Sequence, residues 1–214
     1  MASPCKHPQF IGNTCVGCKL SKTECRNPPT TPLNYIRPHM SLSIDEINRL
    51  RDENLRSLLT RKKLHLILNL DKTLIHVTRI DKLTSEDKQY IEQNQHEING
   101  DGHEYKMIGG VHILRLRPGV RDFIEKLSSI FDISIYTLAS KFYSAQITKI
   151  LDPKGCIFKN VISRGDCTNR SQKGLDVVLS HDQVILIFDD KKRVWGNYTK
   201  NLIQIAPYNF FRFR

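Results

Sequence analysis

Leu64-His65-Leu66-Ile67-Leu68-Asn69-Leu70-Asp71-Lys72-Thr73 is the stretch on which the reading of this chain turns. Five mostly apolar residues are too few for a core helix, and they give way at once to amide, carboxylate, ammonium and hydroxyl side chains. That pattern suits a strand buried in a parallel sheet, with polar groups gathered at its carboxyl end. Phe131 to Thr137, Val161-Ile162-Ser163 and Val184 to Phe188 repeat the theme, the last running into Asp189-Asp190, and Leu202 to Ile205 supplies a final short strand. Between them lie helical patterns: one enters at Pro118 and runs through Leu127, the other covers 141–151 and stops before Pro153. Strands alternating with helices predict an α/β fold with a doubly wound parallel sheet.

Outward from this frame the sequence is less regular. Ser43-Ile44-Asp45-Glu46 has capping-box spacing, and Ile44, Ile47, Leu50, Leu55, Leu58 and Leu59 give the helix that follows an apolar face to about residue 60. Residues 1–40 read as a loop-dominated, Cys/His-containing appendage whose Pro28-Pro29, Pro32 and Pro38 make a stiff linker, with residues 41–214 as the main domain. Residues 80–110 are polar, with turn signals at Gly100-Asp101-Gly102 and Gly109-Gly110, and read as an insertion or flap. Glu86, Asp87, Glu92, Glu97 and Glu104 are expected on its solvated surface.

Thirty-three basic against 22 acidic residues leave a formal charge of +11. That excess favours a polyanionic partner such as a phosphorylated peptide or nucleic acid. The charge is spread over Arg61-Lys62-Lys63, Lys191-Lys192-Arg193 and Arg212 to Arg214 without interleaved aromatics, so nucleic acid is the weaker alternative. No run has the length and apolarity of a membrane span or export signal, and no membrane association is expected. Six cysteines in such a chain point to thiols or metal ligands rather than disulfides.

In open α/β sheets ligands bind beyond the carboxyl ends of the strands. Asn69 and Asp71, Thr137, and Asp189 with Asp190 all sit at such ends, and Lys173 lies in the connection before the last of them. Carboxylates, a hydroxyl and an ammonium together suit Mg²⁺ and a phosphoryl group.

Leu68-Asn69-Leu70-Asp71-Lys72-Thr73-Leu74 resembles the DxDxT loop of haloacid-dehalogenase-type phosphatases. Leu114-Arg115-Leu116-Arg117-Pro118-Gly119, Ile135-Tyr136-Thr137-Leu138-Ala139, and Ile187-Phe188-Asp189-Asp190 with Trp195 resemble the phosphatases of the RNA polymerase II C-terminal domain. Val161-Ile162-Ser163-Arg164 and Gln172-Lys173-Gly174-Leu175-Asp176 are similar to plant members of that group. The resemblance spans roughly residues 41–211. It implies an Mg²⁺-dependent protein-serine/threonine phosphatase, nuclear, acting on the phosphorylated polymerase tail.

By the same resemblance, position 69 is the place of the nucleophile, Asp71 is the general acid/base with a carbonyl on the metal, and Thr73 and Thr137 hold phosphoryl oxygens. Lys173 neutralises developing charge, Asp189 and Asp190 complete the Mg²⁺ site with Asp71, and Arg117 holds the phosphopeptide. Asn69 departs from the family pattern: its amide is not nucleophilic and is a weaker metal ligand than a carboxylate. Impaired or lost catalysis with retained phosphopeptide affinity is the expectation, and a non-catalytic phosphopeptide-binding module is the alternative. Lys191 stands where relatives often carry a small hydroxyl residue, and the end of the sequence at Arg214 leaves the expectation of no phosphopeptide-binding BRCT module.

Cys5-x-His7 and Cys15-x-x-Cys18 offer four ligands for a structural Zn²⁺, with Cys25 spare and Val16-Gly17 suited to a tight knuckle. His65 and His76 read as packing or surface residues, Cys156 and Cys167 as unpaired thiols, and Trp195 as a packing residue.

Overall fold

The computed structural model describes residues 5–93 and 105–211. Its centre is a five-stranded, all-parallel sheet built from β5 (Leu64–Leu68), β9 (Phe131–Tyr136), β10 (Phe158–Ile162), β11 (Ile185–Asp189) and β12 (Leu202–Gln204). The strand order is β10-β9-β5-β11-β12, so the chain winds outward both ways from β5. Its direction of travel across the sheet reverses beside β5, and a crevice opens at the carboxyl ends of such a switch point.

Two-residue alternation sends side chains to two cores. Leu66, Leu68, Ile133 and Ile135 pack on one face against Val120 and Ile124 of α3 (Val120–Ser128) and Ile147 and Leu151 of α4 (Lys141–Leu151). Ile67, Tyr136, Ile185 and Ile187 face the other way, against Ile47 of α1 (Ile44–Thr60), Val177, Val178 and Trp195. The α/β, doubly wound reading therefore holds.

The predicted helix start at Ser43 is also found, but only half of the capping box forms. The Glu46 amide donates to Ser43 Oγ at 3.2 Å, while the Ser43 amide is taken by the Pro8 carbonyl at 2.9 Å. The helix expected to enter at Pro118 starts later: Gly119, at φ 70°, is its N-cap and Val120 its first residue. That left-handed turn suits glycine, so Pro118 lies outside the helix.

Four short strands form before β5. β1 (Gln9–Ile11), β2 (Thr14–Cys15), β3 (Thr30–Pro32) and β4 (Met40–Ser43) make an antiparallel sheet in the order β2-β1-β4-β3. The linker reading of 28–38 is thus corrected: part of it is a paired strand, and Leu33 beyond it is fully buried in the core that holds Met40 and Leu42. Strands of two to four residues are too short for periodicity to register. The 80–110 region joins a second antiparallel sheet, β6-β8-β7, formed by β6 (Ile75–Arg79), β7 (Tyr105–Ile108) and β8 (His112–Leu116), with α2 (Ser85–Gln93) beside it. Gly109 and Gly110 turn at φ 58° and 71° as expected, whereas Gly100-Asp101-Gly102, Glu97, Glu104 and Arg212 to Arg214 lie outside the described residues.

Candidate functional site

A crevice of about 290 Å³ opens at the carboxyl ends of β5, β9 and β11, lined by Asn69, Asp71, Thr137, Lys173, Asp189 and Lys191 among others. The strand-end prediction brings these groups together because β5 lies between β9 and β11 in register.

Asn69 is the hub. Its Oδ1 accepts from Lys173 Nζ at 2.9 Å. Its Nδ2 donates to the Asp71 carbonyl at 2.9 Å, to Thr73 Oγ1 at 3.0 Å and to Asp190 Oδ1 at 3.1 Å. The network assigns this amide orientation: reversed, it would set an oxygen against three oxygens and an NH₂ against an ammonium. The Asp71 carbonyl and Asp190 carboxylate are hard oxygens of the kind that suits Mg²⁺, but Asn69 turns its NH₂ rather than its oxygen towards them. With an amide in place of a carboxylate, a cation there would be held by one negative charge fewer.

The acidic pair divides its work. Asp189, fully buried, takes Lys173 Nζ at 2.6 Å and Trp195 Nε1 at 2.8 Å on Oδ2, and the Lys191 amide at 2.9 Å on Oδ1. Asp190 alone of the two reaches the oxygens around Asn69. Lys173 is 4% exposed and sits 5.2 Å from the Trp195 ring centroid and 5.7 Å from that of Tyr136. Burial pulls its pKa below the ordinary lysine range, and the Asp189 carboxylate opposes that pull. Burial raises Asp190, with Asp189 beside it adding to the rise.

Asp71 has its pKa raised by burial, against the downward pull of the Tyr143 hydroxyl, which donates to Asp71 Oδ1 at 2.5 Å. A carboxyl group that keeps its proton to higher pH is poised to donate it to a leaving oxygen. Lys72 stands at φ 60° in the same loop, its carbonyl taking the Tyr208 amide at 2.7 Å. Arg117 lies apart from the crevice lining: it donates to the Ala206 carbonyl at 2.7 Å and its guanidinium is 5.4 Å from the Tyr208 ring centroid.

Sequence reasoning missed Tyr143 and gave Trp195 only a packing role. Trp195 is a fully buried packing residue that also positions Asp189. Nothing in the sequence around Tyr143 pointed to Asp71. His65 is buried between Ser180 and Ser134, at 2.6 and 2.9 Å, as a packing residue. Cys156 is exposed and Cys167 partly buried, both unpaired.

A second cluster lies in the N-terminal sheet. Ligand atoms of Cys5, His7, Cys15 and Cys18 all fall within 4.8 Å of one another, an arrangement that can hold a metal ion.

Residues 64–212 match the family described as NLI interacting factor-like phosphatase. The chain is 38% identical to RNA polymerase II C-terminal domain phosphatase-like 4 of Arabidopsis thaliana, over 97% of this chain and 47% of the relative. It is 30% identical to an RNA polymerase II C-terminal domain phosphatase of Schizosaccharomyces pombe, over 97% of this chain and 31% of the relative. The solved structure of Fcp1, an essential RNA polymerase II CTD phosphatase, superposes with a TM-score of 0.63 at 28% identity, covering 76% of this chain and 46% of that one. The chain thus spans about half or less of the length of these relatives.

Proposed function

This chain belongs to the NLI interacting factor-like phosphatases, and we propose that its crevice recognises phosphorylated serine or threonine in the C-terminal domain of RNA polymerase II, in the nucleus, with hydrolysis strongly impaired. The single observation that carries this reading is the Asn69 hub. The amide keeps Lys173, Thr73, Asp71 and Asp190 within hydrogen-bond distance, yet offers no nucleophile.

In this reading Lys173 and Lys191 supply positive charge to the phosphoryl group, and Thr73 and Thr137 supply hydroxyls. Mg²⁺, held by the Asp71 carbonyl and Asp190, would offset phosphate charge. Asp71 carries the proton, aimed by Tyr143. Without an attacking carboxylate no aspartyl-phosphate forms, and losing the nucleophile of a covalent mechanism costs on the order of a million-fold in turnover.

The test is phosphate release from, and calorimetric binding of, a phosphoserine heptad peptide, with the chain compared against Asn69→Asp. Binding by both proteins with turnover by the aspartate variant alone is expected. Family-typical turnover by the native chain overturns the impairment, and absence of peptide binding to both proteins overturns the recognition. Binding to RNA that phosphopeptide fails to displace would favour the nucleic-acid reading of the +11 charge.

A further inference from the structure

Leu33, Met40 and Leu42 anchor one side of the N-terminal lobe on the main core, but the part that carries the cysteines has little core of its own. Its buried cluster consists of Phe10, Cys15 and Cys25, with Cys5 and Cys18 packed against it, so most of that interior is sulfur. Small units with such cores depend on a disulfide or a metal. Every cysteine here is a free thiol.

Two of the ligand–ligand separations are close to those a tetrahedral zinc sets, and all four ligand atoms lie within 4.8 Å of one another. Zn–S bonds of about 2.3 Å at the tetrahedral angle set two sulfurs about 3.8 Å apart, and a sulfur and an imidazole nitrogen about 3.5 Å apart. Cys5 Sγ and Cys15 Sγ are 3.8 Å apart, and Cys18 Sγ lies 3.3 Å from His7 Nδ1. The Lys19 amide closes a turn on the Cys15 carbonyl at 3.0 Å, and the His7 amide points at Cys5 Sγ at 3.4 Å, the kind of N–H support that metal thiolates receive. A Cβ on Gly17 would come 3.0 Å from Cys5 Sγ, so the knuckle is closed down on the sulfurs.

The lobe also connects to the crevice. Backbone pairing runs from the lobe through β1 to β4, which continues directly into α1. From there Arg51 donates to the Val178 carbonyl at 3.1 Å and to the Leu175 carbonyl at 2.8 Å, and Tyr35 Oη donates to the Val177 carbonyl at 2.8 Å. These carbonyls belong to the segment that immediately follows Lys173.

We propose that Cys5, His7, Cys15 and Cys18 hold one structural Zn²⁺, and that the lobe it ties together braces the loop that carries Lys173. The zinc site stands independently of what the crevice binds. Only the brace concerns Lys173, and it is read by backbone protection rather than by catalysis.

The experiment measures zinc by mass spectrometry on the purified full chain after dialysis against a chelator, alongside hydrogen exchange of residues 9–43 and 174–178. Zinc retained at about one equivalent, as a closed four-ligand site requires, is expected in the native chain and in Cys25→Ser, and lost in Cys18→Ser. Loss of zinc should accelerate exchange in β1 and β4 and, more weakly, in 174–178. Native chain that keeps full protection with no bound metal overturns the site, and so does equal zinc loss in Cys25→Ser and Cys18→Ser. Zinc present, with exchange at 174–178 unmoved on stripping, overturns the brace. If Cys18→Ser fails to fold, stripping and re-adding Zn²⁺ to the native chain gives the same comparison.

Discussion

Replacing Lys173 by methionine separates what the lysine does for the fold from what it does for a phosphate. Lys173 and Asp189 are 4% and 0% exposed, with 2.6 Å between Nζ and Oδ2. Methionine keeps the length and apolar contacts against Tyr136 and Trp195 but leaves Asp189 with only the Trp195 and Lys191 N–H donors. An uncompensated buried charge of this kind costs about 3–5 kcal/mol. Lys173→Met with Asp189→Asn removes both charges but sets an amide NH₂ against one of the two N–H donors and leaves Asn69 Oδ1 without Lys173, so the double variant should recover only part of the loss, remaining about 1–3 kcal/mol below the native chain. Urea unfolding followed by far-ultraviolet circular dichroism measures both. Phosphoserine-peptide binding should be lost in the single and double variants alike, because the ammonium is absent from both. A single variant destabilised by less than about 1 kcal/mol would refute the buried-charge argument. A stable double variant that still binds peptide at native affinity would refute the role of Lys173 in phosphate recognition.

Two further outcomes follow from the buried titratable groups. Burial lowers His65 to about 4 from its ordinary 6.5. The unfolded chain therefore takes up a proton first as pH falls. Stability from the neutral ring is whole above the unfolded pKa and is lost as pH drops from about 6.5 towards 4, roughly 2 kcal/mol of it between pH 7 and 5. His65→Gln should flatten that dependence in urea melts, and an unchanged pH slope in the variant would show that other groups carry the acid sensitivity. For Asp71, the Tyr143 hydrogen bond favours the charged carboxylate against burial, so Tyr143→Phe should move its titration further upward by carboxyl-carbon NMR. A downward move would mean that the tyrosine hydroxyl acts on the protonated form.

The central sheet was legible because chain direction and burial constrain it tightly. Apolar runs that end in polar residues could only be strands pointing the same way, and their ends had to meet. The N-terminal sheet was not legible: its longest strand has four residues, and the cluster on its cysteine-bearing side is built from cysteines and a single phenylalanine rather than from a periodic pattern. Tyr143 was missed for a different reason. It reaches Asp71 from the first turn of α4, across a gap of 72 residues that no local pattern encodes.

The division of labour between Asp189 and Asp190 was within reach of the sequence, because strand parity contains it. Ile185 and Ile187 face the core that holds Trp195, so the next residue of that parity, Asp189, meets Trp195 and Lys173, while Asp190, just beyond the strand, reaches Asn69 and Thr73. Parity makes the same statement on β5. Ile67 faces the Trp195 core, and Asn69 continues that face to meet Lys173, whereas Leu68 and Leu70 pack into the opposite core. Two strands therefore deliver Asn69 and Asp189 to one ammonium on the same face of the sheet. An asparagine at 69 keeps that contact, since an amide oxygen accepts from lysine as a carboxylate does, while it carries no charge and presents an NH₂ to the Asp71 carbonyl and Asp190. Asn69 thus leaves packing, pairing and the contact with the buried Lys173 in place, which is the physical ground on which the proposed function expects recognition to outlast turnover.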